Sequence, residues 1–429
     1  MKTLFLRKRT SSLALAIAMV TGSFGATALV APVGVMAQEP EAEGGGYGEE
    51  FREVYFPLNE ALSVENADIA ALRPQIDLLA TRLVTRDELL VGGNLILNAG
   101  VNISDQALQL TGLEFMIASR KLQLEQVGRL NFVAYQLTSQ VGRHADSRDY
   151  LQSAIDANFS TESAPSSVLK MAMVESHFQE SQFQAGFDYL SSIIAAEREQ
   201  GRLPTERWYR RGLTVAYENE IVPTVYEIAA SWIADYPSAD NWRDALNVAR
   251  NINNFTDQEI LDLFRLGRSV GALQEEADYD YFVDSADARR LPKEVSEIIR
   301  EGLASGVITP GNLFASEQLE VAQSRIEADR ADLPALERDA LAASAGLRTV
   351  VAAGDTFLSY GDSAKAVTFY ERALTLPGVD ADLANTRLGI AQIQLGDFAA
   401  ARSAFALVTG SRAPIAILWT AYADQLEGA

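Results

Sequence analysis

Residues 354–377 read GDTFLSYGDSAKAVTFYERALTLP, and residues 389–408 read GIAQIQLGDFAAARSAFALV. In both segments apolar residues recur at three- and four-residue steps on either side of a Gly-Asp pair. This pattern is typical of two amphipathic helices joined by a tight turn. A small residue after the turn lets the two helices approach closely, and an aromatic residue four places later fills the gap between units. The pattern therefore predicts two consecutive helical hairpins.

The order of these residues resembles the tetratricopeptide (TPR) repeat family, whose pattern runs Gly, Gly at the turn, Ala, an aromatic residue, Ala and Pro. The first unit matches at Gly354, Phe357, Gly361, Ala366, Tyr370, Ala373 and, one place early, Pro377; the second matches at Gly389, Gly396, Ala401 and Phe405. The second unit departs from the family at Gln392 and Val408. The resemblance implies an all-α fold, an α-solenoid of stacked antiparallel helical hairpins that winds into a right-handed superhelix.

A weaker form of the repeat lies upstream, where Trp208 and Gly212 keep the aromatic–glycine spacing of the family and Trp242 recurs at the repeat distance. We expect degenerate hairpins from residue 51 to 345, including one hairpin at 257–305 and one at 312–345. We expect two recognisable units at 346–412 and a capping helix at 413–429. The glycine-containing stretch 90–103 is the least helical part, and the sequence does not assign a fold to 88–104.

The first 37 residues read as a secretory signal peptide. A basic start (Lys2, Arg7, Lys8 and Arg9) precedes a short apolar stretch and a small-residue cleavage site at Ala37. The alternative is a retained membrane anchor, although Gly and Thr residues interrupt the apolar span. Residues 38–50 are acidic and glycine-rich and are expected to form a flexible leader. We expect export to a bacterial periplasm, with secretion as the second choice.

Composition excludes several classes of protein. The chain has no cysteine, which rules out disulfides, thiol catalysis and cysteine-bound metals. Its formal net charge of -22 disfavours binding to nucleic acid. Only His144 and His177 are available as imidazole ligands or bases, and each falls in a separate helical stretch. We find no phosphate loop, dinucleotide motif or nucleophile elbow, and we expect no cofactor, no metal and no enzymatic activity.

An arginine-rich segment stands out from the acidic background. Arg207, Arg210 and Arg211 surround Trp208, and their spacing places Arg207 and Arg211 on one helix face. Clustered arginines beside aromatic residues are suited to an acidic peptide, so these four residues are candidates for partner binding. The alternative is that the arginines neutralise acids nearby, such as Glu206, and that Trp208 packs between repeats.

Acidic residues mixed with aromatic ones allow a second kind of function. The segment 275–287 contains six carboxylates and the aromatic residues Tyr279, Tyr281 and Phe282, and such a surface is suited to contact with sugar. The favoured interpretation is a solvated helix face whose tyrosines pack inward. Glu175-Ser176 matches the catalytic dipeptide of lytic transglycosylases, but the flanking glycine and aromatic pattern of that family is missing. The sequence thus favours an exported, non-catalytic scaffold for a protein or peptide partner. A glycan-binding or cell-wall-active protein and a structural spacer remain the alternatives.

Overall fold

The computed structural model describes residues 46–64 and 66–428, which form helices joined by short turns, without a strand. The chain divides into two units, with the boundary between Gly186 and Phe187. The expected signal peptide and most of the leader lie outside the described residues. Within the described ranges, no helix has both the length and the apolar character needed to cross a bilayer.

The helices of the first unit are α1 (Glu49–Leu62), α2 (Arg73–Ala80), α3 (Arg86–Asn102), α4 (Gln106–Ala118), α5 (Leu124–Gln140), α6 (His144–Asp156) and α7 (Ser166–Gln179). Helix α8 (Phe183–Glu199) contains the boundary. The second unit continues with α9 (Glu206–Glu218), α10 (Thr224–Asp235), α11 (Ala239–Ile252), α12 (Asp257–Ser269), α13 (Glu276–Ala286), α14 (Pro292–Ser305), α15 (Leu313–Leu341), α16 (Leu347–Ser359), α17 (Ser363–Leu374), α18 (Ala381–Leu395), α19 (Phe398–Phe405) and α20 (Ala413–Gly428). Consecutive helices pack in pairs, which confirms the predicted all-α hairpin architecture.

A single kind of turn closes many of these pairs. In the two repeats that the sequence identifies, Gly361 and Gly396 have φ of +80° and +79°, a left-handed conformation that costs glycine nothing. The next backbone N–H then bonds back to the last helical turn, as from Asp362 to the carbonyl of Phe357 at 2.9 Å. Ser181 and Glu220 adopt the same left-handed conformation at the ends of α7 and α9. These two turns have no glycine, so the glycine pattern of the repeat is absent from this part of the sequence although the turn is the same.

The signature glycines make close contacts between helices. A Cβ atom on Gly354 would lie 2.7 Å from the ring of Tyr370, and one on Gly389 would lie 2.4 Å from the ring of Phe405. Ala366 is fully buried at the same crossing, as are Ala373 and Ala401 in their units. Glycine is therefore required because the aromatic ring of the second helix occupies the space of its side chain.

Glycines also explain α3, the stretch that the sequence marks as least helical. Thr85 and Glu88 form a reciprocal capping box that starts the helix, and it continues unbroken to Asn102. Its Gly93 faces Gly112 of α4, where an added Cβ would meet the carbonyl oxygen of Gly112 at 2.8 Å. These glycines mark a close approach of two helices rather than a break in one.

Two segments differ from the predicted hairpins. Residues 257–305 form three helices, because left-handed turns at Gly271 and Asp287 divide the segment twice. Most of the segment 312–345 forms the single 29-residue helix α15, which continues through Pro334. The hairpin prediction for 312–345 is wrong because this segment has no residue that adopts a left-handed φ to reverse the chain.

Helix α20 does not cap the free end of a stack, as the sequence led us to expect. It packs on α19 and also on α10, α11 and α12, which are more than 140 residues away along the chain. The Trp242 indole N–H donates to Gln425 at 3.2 Å, and the Trp419 indole N–H donates to the Asp262 carbonyl at 3.0 Å. Helix α20 is apolar on several faces, and contact with both sets of helices buries apolar residues on more than one face.

Candidate functional site

The four predicted partner-binding residues differ in how much of each side chain is exposed. All lie on α9, but Trp208 is only 2% exposed and packs in the core, as does the neighbouring Tyr209. Arg207 is exposed and Arg211 is half-buried. A role in partner binding for Arg207 and Arg211 therefore stays a prediction, whereas Trp208 has the position of a core residue.

Arg210 is exposed, but other residues of the same chain engage its guanidinium. Its guanidinium pairs with Glu206 at 3.0 Å, donates to Asn241 at 3.2 Å and lies 4.7 Å from the centre of the Trp232 ring. Burial raises the pKa of Glu206, but hydrogen bonds from Arg210 and Trp232 outweigh it and hold that pKa below its usual value. These contacts join α9 to α10 and α11, which favours the charge-neutralising interpretation for this arginine.

The acidic and aromatic segment 275–287 also has structural partners. Asp278 accepts hydrogen bonds from the backbone N–H groups of Gln274 and Glu275 at the start of α13. Glu276 accepts from the Thr309 backbone at 2.9 Å and from the Asn312 amide at 2.8 Å. Phe282 is fully buried. Asp278 thus caps the start of α13 and Glu276 connects α13 to the segment before α15, so these two carboxylates have structural roles.

The two histidines lie on different helices, α6 and α7. His177 contacts the Gln182 side chain through Nδ1 at 2.9 Å, and His144 lies at the start of α6. Among the described residues, no group of three His, Cys, Asp or Glu side chains is arranged to hold a metal ion.

A buried charged cluster in the second unit was not predicted. Asp262 of α12 has no exposed surface and accepts hydrogen bonds from three arginines. The donors are Arg265 at 2.9 Å, Arg387 at 3.1 Å and Arg412 at 2.7 Å. Arg387 comes from α18 and Arg412 immediately precedes α20, so one carboxylate joins helix α12 to the C-terminal repeats.

Arg387 extends this cluster into the first recognisable repeat. It donates to Asp355 of α16 at 2.6 Å, and Asp355 also accepts the Tyr370 hydroxyl at 2.8 Å. A third donor nitrogen of Arg387 reaches Gln258 at 2.9 Å. The planar guanidinium thus bonds to groups on α12 and α16 at once, a geometry that lysine could not reproduce.

Asp262 links the folding of this unit to pH. Burial by itself raises the pKa of the Asp262 carboxyl, but Arg387, Arg265 and Arg412 together lower it to about 2. An aspartate in the unfolded chain titrates near 3.9, so the unfolded state takes up this proton first as the pH falls. The contribution of Asp262 is therefore fully present above about pH 4 and lost towards pH 2.

We expect this carboxylate to supply about 2 kcal/mol of a stability difference between pH 5 and pH 2. Urea unfolding followed by tryptophan fluorescence measures it in the second unit, because that unit contains all four tryptophans, Trp208, Trp232, Trp242 and Trp419. The Asp262→Asn variant is the control, since it lacks this titration. An equal acid sensitivity of the two proteins would contradict the prediction.

Beside the buried cluster lies a cleft with a volume of about 480 Å³. Helices α12 and α14 form one side, with Arg265, Arg268, Ser269, Glu294, Glu297 and Glu301. The other side is formed by helices α16, α18 and α20 and by the turn after α16. Its lining residues are Leu358, Ser359, Tyr360, Ile390, Gln394 and Trp419. The second side contributes no charged group to this lining.

The cleft follows from the irregular helix α15. In a regular array each hairpin packs directly on the next. Here α14 packs on α15 and α15 packs on α16, while α14 and α16 share no extensive contact. One long helix in place of a hairpin leaves the facing sides of α14 and α16 open to each other. Tyr360 donates to Asp329 of α15 at 2.7 Å and fixes one edge of the opening.

Ion pairs hold the charged side of the cleft in place. Arg265 and Glu294 form a bidentate pair at 2.8 and 2.7 Å, and both side chains are buried. Arg268 pairs with Glu301 at 2.9 Å and lies 3.7 Å from Glu297. The Arg268 and Glu301 side chains are 32% and 48% exposed, so this outer pair is accessible from the cleft.

The sequence contains one indication of the buried charged cluster around Asp262. Asp262 lies within the apolar run from Ile260 to Phe264, and Arg387 lies among small and apolar residues of α18. A charge within an apolar helix face implies a buried partner of opposite sign. The partner itself could not be named, because the two residues are separated by 125 positions.

Comparisons with known proteins leave the family open. No family model matches the chain, and no curated protein matches it. The crystal structure of the APC/C heterotetramer Cut9–Hcn1 is similar to it at 11% sequence identity, over 86% of this chain and 71% of that chain, with a TM-score of 0.21. This likeness is too low to carry an argument. The fold rests on the helix pairing, the left-handed turns and the glycine–aromatic contacts of this chain itself.

Proposed function

We propose that this chain is a non-catalytic helical-repeat scaffold and that it binds a protein or peptide partner in the cleft between α14 and α16. The observation that carries the proposal is the cleft itself. Its residues come from five helices and one turn, and its volume is within the range of about 300–1,000 Å³ that is usual for ligand pockets. We further propose that the protein works in the cell envelope, which the basic and apolar start of the sequence supports.

The local chemistry suits recognition of a polypeptide. Leu358, Ile390 and Trp419 form an apolar floor that is almost fully buried, and Ser359 and Gln394 add polar groups beside it. A partner that bonds to the exposed Gln394 amide would gain orientation from this group. The ion pairs of the charged side hold α12 and α14 together before binding, which reduces the entropy cost of association.

A bulky residue in the cleft is expected to abolish partner capture. Ser269 is exposed at the end of α12, and its hydroxyl bonds to the Arg265 carbonyl at 2.9 Å, so Ser269→Trp fills the cleft without changing charge. The full-length tagged chain and its variants are cross-linked in the source cells, and the purified adducts are compared by mass spectrometry.

Ser316→Trp on α15 is the matched control. Ser316 is exposed and bonds to the carbonyl four residues earlier, at 2.8 Å, as Ser269 does, but it does not line the cleft. A protein adduct that is lost in Ser269→Trp and kept in Ser316→Trp supports the proposal. Identical adducts in all three proteins would contradict binding in the cleft. Recovery of cell-wall polymer in place of protein would favour the glycan alternative.

A further inference from the structure

One face of α11 carries three polar side chains at helical spacing. Arg243, Asn247 and Arg250 are four and three residues apart, so they lie along the same side of the helix. Together with residues of α12, of α13 and of the turn between them, they line a small recess. The recess has a volume of about 10 Å³, which is room for one water molecule, so a larger group would bind at its mouth. It shares no lining residue with the cleft between α14 and α16.

Arg250 carries a charge on this face without an ion pair. In the part of the chain that the structure describes, its guanidinium pairs with no carboxylate and donates no hydrogen bond. It lies 5.2 Å from the centre of the Tyr281 ring and 5.9 Å from that of Phe264. An aromatic face supports the charge of an arginine but does not accept its in-plane N–H groups. Arg250 is half-buried and Tyr281 is 51% exposed, so both side chains can be reached from solvent.

Two carboxylates border this face, and both are engaged by other groups. Glu275 pairs with Arg243 at 2.5 Å, and Asp278 accepts the backbone N–H groups of Gln274 and Glu275. Arg243 lowers the pKa of Glu275 through its hydrogen bond and its charge, and Arg250 makes only the smallest contribution to this shift. The charge of Arg250 is therefore the one on this face that no direct contact balances.

The same face also offers hydrogen-bond donors. The Asn247 side chain is half-buried and forms no hydrogen bond with the described residues. The Nε atom of Arg243 is buried and likewise has no partner among them, since Asp278 lies 3.8 Å away. A ligand that brings acceptor oxygens would complement these donors.

We propose that Arg250 and Asn247 form a docking point for a carboxylate of a partner polypeptide, beside the exposed ring of Tyr281. Binding here does not depend on binding in the cleft. A carboxylate brings one negative charge and two acceptor oxygens, which match one unpaired guanidinium and its parallel N–H groups. A phosphate dianion is disfavoured, because it brings more charge than Arg250 balances and would lie near Glu275 and Asp278.

The overall charge of the protein does not prevent this contact. The formal net charge of -22 repels an acidic partner at long range. Salt at about 0.15 M screens exposed charges that are more than about 8 Å apart, so the groups in contact with the ligand decide the affinity. The methylene groups next to the carboxylate would pack on the Tyr281 ring, which adds apolar contact to the ion pair.

The test uses three blocked tripeptides and the full chain. Ac-Ala-Glu-Ala-NH2 carries a side-chain carboxylate, Ac-Ala-Ala-Ala-OH carries a C-terminal one, and Ac-Ala-Gln-Ala-NH2 carries none. Dissociation constants are measured by saturation-transfer NMR, which detects weak ligands of a large protein. We expect a carboxylate peptide to bind about tenfold more tightly than the glutamine peptide, because a hydrogen bond between charged groups is stronger than a neutral one. The tighter of the two carboxylate peptides identifies the source of the carboxylate in the partner.

Arg250→Gln is expected to remove the preference for carboxylate peptides, because glutamine keeps a hydrogen-bonding group but no charge. Arg325→Gln on α15 is the matched control, since Arg325 also has no ion pair among the described residues and lies outside the recess. It removes the same positive charge and so measures any long-range effect. Asn247→Ala is expected to weaken binding about threefold, and it breaks no hydrogen bond with the described residues.

Equal binding of all three peptides would overturn the proposal, as would equal losses in Arg250→Gln and Arg325→Gln. A weaker affinity of Arg250→Gln for the glutamine peptide as well would show that Arg250 only maintains the local structure. Inorganic phosphate that displaces the glutamate peptide at a lower concentration than the peptide itself requires would assign this face to phosphate and exclude a carboxylate.

Discussion

Asp262→Asn is expected to lower the free energy of unfolding of the second unit by about 3–5 kcal/mol, the usual effect of removing one partner from a buried ion pair. The substitution keeps the shape of the side chain but removes the charge that Arg265, Arg387 and Arg412 share. Arg387 retains Asp355, and Arg265 retains Glu294. Arg412 loses its ion pair in a nearly fully buried position, which accounts for much of the cost.

Urea unfolding monitored by tryptophan fluorescence checks this expectation in the second unit. Asp424→Asn is the matched control, because Asp424 also pairs with an arginine, Arg402 at 3.0 Å, but is 55% exposed. An exposed pair contributes roughly 0–1 kcal/mol, so the control should differ little from the original protein. Similar losses for the two variants would show that the buried cluster does not join α12 to the C-terminal repeats in the way described.

The second large effect is expected in the first unit, where Gly112→Ala should disrupt the α3–α4 hairpin. A Cβ at this position would lie 2.4 Å from the backbone nitrogen of Leu97 and 2.7 Å from the carbonyl oxygen of Gly93. Both obstacles are backbone atoms, so no side chain can rotate away and the helices must separate. We expect a loss of about 3 kcal/mol, at the upper end of the usual overpacking cost.

Hydrogen exchange of peptides covering 86–118 measures this change locally. Gly92→Ala is the matched control on α3, because its added Cβ would chiefly meet the tip of the Leu83 side chain, which can rotate. Alanine also favours a helix over glycine by about 1 kcal/mol, so Gly92→Ala should change exchange little. Faster exchange in the control, or no change in Gly112→Ala, would contradict the close approach of these helices.

Much of the local structure could be predicted from the sequence. The glycine turns at Gly361 and Gly396 and the contacts of Gly354 and Gly389 with aromatic rings follow from the repeat spacing. The sequence predicts these turns and contacts because the steric restrictions that fix them act within one hairpin, between residues that are close in sequence. The same rule misleads at 90–103, where glycine marks a contact between helices and the sequence does not show which helix lies opposite.

The candidate site was not predicted, because its parts are far apart along the chain. The arginines of α9 were the visible candidates, but Arg210 is engaged by Glu206, and the cleft is formed by other helices. Its carboxylates on α14 have the pattern of an ordinary solvated helix face. Only the absence of a turn within α15 and the return of α20 to α10 and α12 bring its two sides together.

The sequence by itself determined the helical hairpin, its turn and the residues that its close packing requires. The tertiary structure decided that Asp262 pairs with Arg387 and Arg412, which joins α12 to the C-terminal repeats. It also decided that the cleft opens between α14 and α16. The physical reason is that turn geometry and helix pairing depend on neighbours in sequence, whereas burial of a charge depends on a partner that only the folded chain supplies.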